Sequence, residues 1–371
     1  MNRSSLANHD IERIAYLDGL RGIAILSVVA WHYTNWGYVR FFPYGKLYSW
    51  IPLLDHGWVG VDLFFLISGY VILLTLQRCA TFREFIARRW LRLFPAMLIA
   101  SLLLFATSRF LGAYMPHGTP AAINLLPGLT FVISPIWEFI LQRPVDELDG
   151  VFWTLYVEAG FYVTFGLLYF CLGWRRGVAA LTLLWLIVVA SSRIATAFQV
   201  AHLRNVVQPL QWIGAEYFGW FVSGALFLKA AEMDSRRLFG AAVAAGVTSA
   251  LTSGLWQPSD MLSCTYLLAC VAFFAAAQRS VWLQAALGAR WLLLLGAISY
   301  PLYLLHDELG IGLISKAGES TPAWLWPALP LFAMFAVIGA AWVLARWLEP
   351  TMKRRLSAVV MPLVVRIRRA E

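Results

Sequence analysis

The chain has 371 residues, of which 60% are hydrophobic and only 13% are charged, and it carries a formal net charge of +9. Soluble domains carry roughly a quarter of charged residues, so this composition excludes a soluble protein and predicts a polytopic membrane protein. The positive charge does not predict a nucleic-acid partner, because the basic residues alternate with apolar segments. Membrane topology and contact with anionic membrane lipids explain it better.

Apolar segments of the length that a bilayer core requires, about 20 residues, recur along the whole chain. If the N-terminus is cytoplasmic, most of the 29 Lys and Arg residues fall in cytoplasmic segments, as the positive-inside rule requires. The pattern predicts an all-α bundle of about ten transmembrane helices, with both termini cytoplasmic and no cleavable signal peptide. The predicted spans lie near residues 20–38, 57–77, 93–113, 152–172, 178–198, 210–228, 238–255, 261–278, 291–313 and 325–346.

The first span contains three polar side chains within the segment DGLRGIAILSVVAWH, residues 18–32. Arg21 and His32 are eleven residues apart, close to three helical turns, so they share one face at a separation of roughly 16 Å. Asp18 lies three residues before Arg21 and shares that face. Ionisable groups inside a membrane helix are costly and usually belong to a functional site. This helix is therefore the first candidate for chemistry.

The second span begins with GWVGVDLFFLISGYVI, residues 57–72, and carries Asp62 near its outer end. Ser68 and Tyr70 flank Gly69, and small or polar residues of this kind let membrane helices approach each other closely. Asp62 is a candidate site residue. The alternative is a packing motif in which Asp62 serves as a local cap or ion-pair partner.

The segment FREFIARRWLRLFP, residues 82–95, predicts a short cytoplasmic helix followed by a span that contains Pro95. Arg88 and Arg92 are four residues apart on this helix, with Arg89 beside them. Guanidinium groups bind phosphate through two parallel hydrogen bonds, so the three arginines form a candidate phosphate site. The alternative is the lipid-facing cluster that any cytoplasmic loop tends to carry.

The fourth span begins with FWTLYVEAGFY, residues 152–162, and places Glu158 about two turns inside the membrane. A carboxylate at that depth has to be paired, hydrogen-bonded or protonated. Trp153 is suited to the membrane interface. We expect Glu158 to act in a functional site or to support one.

The ninth span contains SYPLYLLHD, residues 299–307, in which His306 and Asp307 lie near the outer end. Pro301 is expected to disturb this helix and to loosen backbone carbonyls beside Tyr303. An interfacial role for His306 is the alternative to a functional one. The other histidines and the four cysteines show no ligand spacing, so we predict no metal site and no disulfide.

Taken in order, these segments resemble the blocks of the acyltransferase-3 family, bacterial membrane O-acyltransferases that modify surface and secreted glycans. The pattern from Arg21 to His32 resembles the family's Arg-x10-His signature, and GVDLFFLISGY, RRWLR, WTLYVE and SYPLYLLH are similar to its later blocks. The resemblance implies an acyltransferase domain at 1–350, a basic cytoplasmic tail at 351–371 and a stand-alone member without an SGNH-type domain. One departure is that Glu349 and Pro350 are adjacent, where the family has a residue between them.

The resemblance implies a bacterial inner-membrane enzyme that takes acetyl-CoA, or another acyl-CoA, as donor substrate and a glycan or lipid-linked sugar as acceptor, with no bound cofactor. Histidine suits the general base that a sugar hydroxyl needs, so we expect His32 to fill that role; an acyl-histidine intermediate is the alternative. A proton-coupled transporter or flippase is the competing function, because it also needs buried charges. The expected catalytic residues are His32, Glu158 and Asp62, and one of the two carboxylates is expected to orient His32. The expected donor-binding residues are Arg21, Asp18, Arg88, Arg89 and Arg92. The expected supporting residues are Trp153, Ser68, Tyr70, Tyr303 and His306.

Overall fold

A computed structural model of the chain describes residues 14–34, 36–253 and 261–370. Within these ranges all regular secondary structure is helical, which confirms the predicted all-α class. The α-helices, in chain order, are α1 (Ala15–Thr34), α2 (Pro52–Asp55), α3 (Gly60–Leu76), α4 (Phe82–Leu111), α5 (Leu125–Thr130), α6 (Ser134–Leu141), α7 (Trp153–Ala197), α8 (Ala201–Trp212), α9 (Phe218–Glu232), α10 (Arg236–Thr252), α11 (Met261–Ala277), α12 (Val281–Leu287), α13 (Arg290–Leu305), α14 (Glu308–Ser320), α15 (Leu329–Val343) and α16 (Glu349–Ala370). Short 3-10 helices occupy Trp36–Phe41, Gly57–Val59, Gly112–Tyr114, Ala122–Asn124, Gly150–Phe152, Ala215–Tyr217 and Ala323–Ala328, and a π-helical turn occupies Leu344–Leu348.

Several of these helices are long and apolar enough to cross a membrane, which supports a membrane protein. Among the described residues four helical runs qualify, and a fifth does if α11 and α12, bent by 105°, count as one span. The total of ten spans and the side of each terminus stay predictions, and residues 1–13 lie outside the described part of the chain. The four runs are Gly57–Leu76, Phe82–Tyr114, Gly150–Ala197 and Ala323–Val364.

Two helix breaks fall inside or between predicted spans. The predicted spans at 152–172 and 178–198 form the single run α7, which is interrupted where Gly173 takes a φ of 75°, a conformation that glycine adopts without strain. The predicted span at 291–313 is divided into α13 and α14, and the division falls at His306 and Asp307. The second break places polar side chains at a helix junction.

The prediction of a separate short helix at the arginine cluster is wrong. Residues 82–111 form one continuous helix, α4, with Pro95 inside it. The helix begins at Phe82 because the Thr81 side chain accepts a hydrogen bond from the Glu84 backbone N–H. The arginines therefore belong to α4 itself, one of the helices that form the bundle. The predicted tail is also helical: α16 runs from Glu349 to Ala370 and packs on α4.

Helix α1 is enclosed by α13 and α3, and α3 packs in turn on α9. Glycines bring these backbones together. A side chain at Gly296 of α13 would overlap the Asp18 carbonyl oxygen of α1, and one at Gly69 of α3 would overlap the Phe221 carbonyl oxygen of α9. Small residues permit this approach between membrane helices. The predicted packing role of the Ser68–Gly69–Tyr70 segment is confirmed for Gly69.

Candidate functional site

Helix α1 carries the three polar residues that the sequence singled out, and it places them at different depths of the bundle. Asp18 and Arg21 lie in its first two turns and form an ion pair at 3.5 Å. His32 lies in the last turn and is buried. Both ends face α13, the helix against which α1 makes its most extensive packing. The same two helices therefore frame both parts of the site.

Arg21 lines an open cavity formed by α1, α3, α4, α7 and α13. Three arginines reach this cavity, whereas Glu158 is the one carboxylate among the lining residues that the structure describes. The polar lining residues are Arg21, Ser68, Arg89, Arg92, Thr154, Glu158, Tyr162, Ser299, Tyr300 and Tyr303. Guanidinium groups on the wall can bind an anionic ligand, although Arg21 and Arg92 also form ion pairs with Asp18 and Glu349 beside the cavity.

Arg89 is held by Tyr162 but keeps hydrogen-bonding capacity in reserve. Its Nη2 donates to the Tyr162 hydroxyl over 3.2 Å, and the guanidinium stacks on the Tyr162 ring at 4.9 Å. The buried Nε–H has no hydrogen-bond acceptor among the described residues. A buried, unpaired N–H donor is costly, so this position gains from an anion in the cavity.

Glu158 fixes the side chains around Arg89. It accepts a hydrogen bond from the Ser68 hydroxyl over 3.0 Å and another from the Tyr162 hydroxyl. The chain Ser68–Glu158–Tyr162–Arg89 thus joins α3, α7 and α4 across one wall of the cavity. Glu158 has hydrogen-bonding partners at its depth, as the sequence argument required.

Two arginines of the predicted cluster, Arg92 and Arg88, differ in whether they reach the cavity. Arg92 lines the cavity, forms an ion pair with Glu349 at 3.6 Å and lies 5.6 Å from the Tyr300 ring centre. Arg88 does not line the cavity; its guanidinium is half exposed and forms two hydrogen bonds with Glu84, of 2.8 and 3.0 Å. Of the three predicted arginines in α4, the structure brings Arg89 and Arg92 to Arg21, and not Arg88.

His32 lies in a separate buried cluster at the other end of α1. Its Nδ1 is 2.9 Å from the Val28 carbonyl oxygen, which can only accept, so Nδ1 carries the hydrogen and Nε2 carries the lone pair. The Nε2 atom of His306 lies 3.2 Å from the same Nδ1. On the side of the His32 ring that carries the lone pair, the Asp307 carboxylate is 3.9 Å from Nε2. This distance is longer than a hydrogen bond.

Tyr303 stands between the cavity and the histidines. Its ring lines the cavity on one side and lies 5.2 Å from the His306 ring centre on the other. Its hydroxyl accepts a hydrogen bond from Thr154 over 2.9 Å and donates to the Val151 carbonyl over 3.2 Å. The site therefore has two parts, which we call compartments: the cavity and the buried histidine cluster, with Tyr303 adjacent to both.

Comparison with known proteins identifies the family that this arrangement belongs to. The model of a family described as an acyltransferase domain matches residues 14–346. The chain belongs to the acyltransferase-3 family. It is an acyltransferase, as the sequence motifs predicted.

Curated relatives cover this acyltransferase to different extents. It is 25% identical to nodulation protein 10 of Rhizobium leguminosarum bv. viciae, over 90% of this chain and 97% of that protein. It is 29% identical to the exopolysaccharide production protein ExoZ of Rhizobium meliloti, over 71% and 79%. It is 27% identical to the Staphylococcus aureus (strain COL) protein named "Putative O-acetyltransferase SACOL0978", over 40% of this chain and only 23% of that longer protein. No solved structure matches it significantly.

The acyltransferase does not bring either predicted carboxylate to His32. Glu158 contacts the cavity groups described above, and the carboxylate beside His32 is that of Asp307. Asp62 is fully buried in α3, and its electrostatic neighbours are Cys270 and Tyr217. The positions differ from expectation because each depends on how α3, α7 and α13 rotate against α1, which a single sequence does not encode locally.

The predicted supporting residues divide into cavity residues and packing residues. Ser68 and Tyr303 line the cavity. Trp153 packs against Phe65 and Tyr217, with its ring centre 5.2 Å from that of Tyr217, and Tyr70 is a neighbour of Tyr16. No described group of three or more His, Cys, Asp or Glu side chains is arranged to hold a metal ion.

Sequence reasoning missed several polar residues of the two compartments. Tyr162 and Tyr300 line the cavity, while Asp149, Tyr38 and Glu308 surround the histidine compartment. Tyr162 was accessible, because it lies one helical turn after Glu158 and shares its face. Asp149 and Tyr38 come from loop and 3-10 segments, so no helical periodicity pointed to them.

Proposed function

We propose that this chain is a membrane O-acyltransferase that moves an acyl group, most simply acetyl, from acyl-CoA to a hydroxyl of a glycan such as exopolysaccharide or O-antigen. The single observation that carries the proposal is the two-compartment site. An arginine-lined cavity and a buried histidine base lie along one helix and are separated by Tyr303. An acyl-CoA molecule needs both, since its phosphates and its thioester are at opposite ends.

The donor end is the cavity of Arg21, Arg89 and Arg92. Coenzyme A carries phosphate groups, and planar guanidinium groups bind phosphate bidentately. The unpaired Nε–H of Arg89 supports an anion there. Arg21 and His32 are separated by roughly 16 Å of helix, which is comparable with an extended pantetheine arm. In this arrangement the nucleotide stays near the arginines while the thioester reaches toward His32.

The reacting end is His32. The Val28 carbonyl holds its Nδ1–H, which leaves the Nε2 lone pair free to take the proton of an acceptor hydroxyl. As that proton leaves, the hydroxyl oxygen attacks the thioester carbonyl, a C–O bond forms, the C–S bond breaks and the CoA thiolate departs. His306 and the backbone orient His32 here, rather than the Glu158 or Asp62 carboxylate that the sequence favoured.

The acceptor class follows from chemistry and from the relatives. A relative is named for exopolysaccharide production and another as an O-acetyltransferase, and a sugar hydroxyl is the kind of weak nucleophile that needs a base. Exopolysaccharide is therefore the first acceptor to test. We place the enzyme in the bacterial cytoplasmic membrane, with the donor cavity open to the cytoplasm, where acyl-CoA is found.

The proposal is tested with purified protein in vesicles, radiolabelled acetyl-CoA and de-O-acetylated exopolysaccharide. Wild type is expected to label the polysaccharide, and His32→Gln to lose at least ~100-fold in rate, the usual contribution of a general base, while binding acetyl-CoA as wild type does. Ser27→Ala, in the same helix, is the matched control. Wild-type rates in His32→Gln would refute the base assignment. Uptake of label without transfer would instead favour the transporter.

A further inference from the structure

Four ionisable residues beyond His32 have no role in the proposed acyl transfer. Asp149, Asp307 and Glu308 are buried, each with 2% or less of its surface exposed. His117 forms the outer end of the group, and 38% of its side chain is exposed. Buried carboxyl groups are costly unless they are paired or used. Three buried carboxyl groups near the proposed catalytic base are therefore expected to have a function.

The group begins at the basic nitrogen of His32. Asp307 lies 3.9 Å from Nε2, the atom that carries the lone pair. Tyr38 and Asp149 are electrostatic neighbours of Asp307, and neither carboxylate oxygen of Asp307 has a hydrogen-bond partner among the described residues. Asp149 accepts the Val151 backbone N–H through Oδ1 over 3.0 Å, which leaves its Oδ2 without a hydrogen-bond partner among the described residues.

Two buried carboxyl groups close to each other cannot both carry a charge at low cost, so such a pair is suited to take up one proton. Beyond the pair, Glu308 and His117 are electrostatic neighbours of Asp149. His117 Nδ1 lies 2.5 Å from a Glu308 carboxylate oxygen, within hydrogen-bond distance, and the His117 backbone N–H donates to the same oxygen over 3.2 Å. Asp307 next to His32 and Glu308 next to the partly exposed His117 are adjacent in sequence, so these groups form a series from the buried base to the protein surface.

We propose that Asp307 and Asp149 receive the proton that His32 takes from the acceptor hydroxyl, and that Glu308 and His117 pass it to water on the side of residues 112–149. This proposal rests on the proposed acyl transfer. His306 does not fill the role, because its Nδ1 donates to the Tyr303 carbonyl and its Nε2 faces the hydrogen-bearing Nδ1 of His32.

The proposal fixes where each proton goes. The acceptor O–H proton moves to His32 Nε2, then to the carboxyl pair and out through His117. The CoA thiolate leaves on the donor side and takes its proton from water there. Each transfer thus releases one proton on the acceptor side and consumes one on the donor side. A base that returned its proton directly to the thiolate would move none.

Proton counting in vesicles separates the two routes. De-O-acetylated exopolysaccharide and the pH dye pyranine are enclosed, and labelled acetyl-CoA, which does not cross the membrane, is added outside. Only molecules with the donor cavity outward then react. Wild type is expected to acidify the lumen by about one proton per acetyl transferred. A protonophore abolishes the acidification without reducing transfer.

Two isosteric variants test the residues. Asp149→Asn retains an oxygen for the Val151 N–H and Asp307→Asn preserves volume, yet neither side chain can exchange a proton. Each is expected to slow transfer at least ~10-fold, within the range for a lost proton-transfer group, with acetyl-CoA binding unchanged. Asp146→Asn, an exposed aspartate of the same loop, is the matched control and is expected to behave as wild type.

The outcomes separate this proposal from the function on which it rests. Transfer by wild type without lumenal acidification refutes the proton route and leaves the acyltransferase intact. Wild-type rates and stoichiometry in both aspartate variants refute it equally. If wild type transfers no acetyl group to the enclosed polysaccharide, the proposed function fails first and the proton route fails with it. Loss of both transfer and acidification in the aspartate variants, with donor binding kept, supports the route.

Discussion

Neighbouring arginines on α4 give a sharp test of the donor cavity. Arg89 lines it and Arg88 does not, although both come from the same RRWLR segment. We predict that Arg89→Gln weakens acetyl-CoA binding strongly, whereas Arg88→Gln changes it less than twofold. The two substitutions remove the same charge one residue apart, so a general loss of positive charge at this end of the helix would affect both equally.

The magnitude follows from what each guanidinium does. The buried Nε–H of Arg89 has no acceptor among the described residues, and a bound phosphate would supply one. A hydrogen bond between charged groups contributes about 1.5–3 kcal/mol, which corresponds to a dissociation constant about 10- to 100-fold higher in Arg89→Gln. Arg88 is 53% exposed and pairs with Glu84 one turn away, an interaction that contributes roughly 0.3–0.5 kcal/mol to the helix.

Isothermal titration of acetyl-CoA into the purified variants in detergent measures these constants. Thermal unfolding of each variant without ligand checks the fold, because Arg89 also stacks on Tyr162. Arg89→Lys provides a further comparison, since lysine keeps the charge but lacks the planar fork, and it should bind with intermediate affinity. Equal losses in Arg88→Gln and Arg89→Gln, or no loss in Arg89→Gln, would refute the assignment of the cavity to the donor phosphates.

Three further predictions concern the supports of the site. Glu158→Gln removes the charged acceptor of the Tyr162 hydroxyl and should raise the dissociation constant of acetyl-CoA about 3- to 10-fold by loosening the cavity wall, measured by the same titration. Gly296→Ala forces α13 away from α1 and should destabilise the fold by about 1–3 kcal/mol, read from denaturant unfolding. The hydrogen bond to the buried Glu308 carboxylate raises the pKa of the His117 imidazole. Protonated His117 therefore stabilises the fold fully below the ordinary pKa of histidine, and this stabilisation is lost as pH rises through the raised pKa. Melting temperatures of wild type should therefore fall with pH in that window, and His117→Gln should flatten the fall.

Local periodicity predicted those features of the site that depend on one helix. The spacing of Arg21 and His32 placed both on one face of α1, and both face the interior of the bundle, Arg21 at the cavity and His32 in the buried cluster. Because Glu158 lies within a predicted membrane span, its carboxylate was expected to have hydrogen-bonding partners, and it accepts hydrogen bonds from two hydroxyl groups. These inferences succeed because helical geometry and the cost of bare charge in a membrane act within a single segment.

Features that depend on how two helices pack could not be predicted from the sequence in the same way. Arg88 and Arg89 differ by about 100° around α4, so one faces the cavity and the other faces outward, but only the contact of α4 with α7 decides which. The carboxylate beside His32 was assigned to Glu158 or Asp62, whereas Asp307 occupies that place. Asp307 reaches His32 because the predicted ninth span breaks into α13 and α14 at that point, a break that Pro301 indicated only approximately.

The position of Tyr303 determines how the two compartments can work together. On the proposed function, the acyl end of the donor has to pass this ring to reach His32. Moving the ring breaks the hydrogen bonds of its hydroxyl with Thr154 and the Val151 carbonyl, at a cost of about 0.5–1.5 kcal/mol each. That cost is small beside the roughly 16 kcal/mol barrier of an enzyme that turns over ten times per second. Tyr303 can therefore move aside during turnover, and its position places it between the histidines and the cavity in which Arg21, Arg89 and Arg92 would hold the nucleotide.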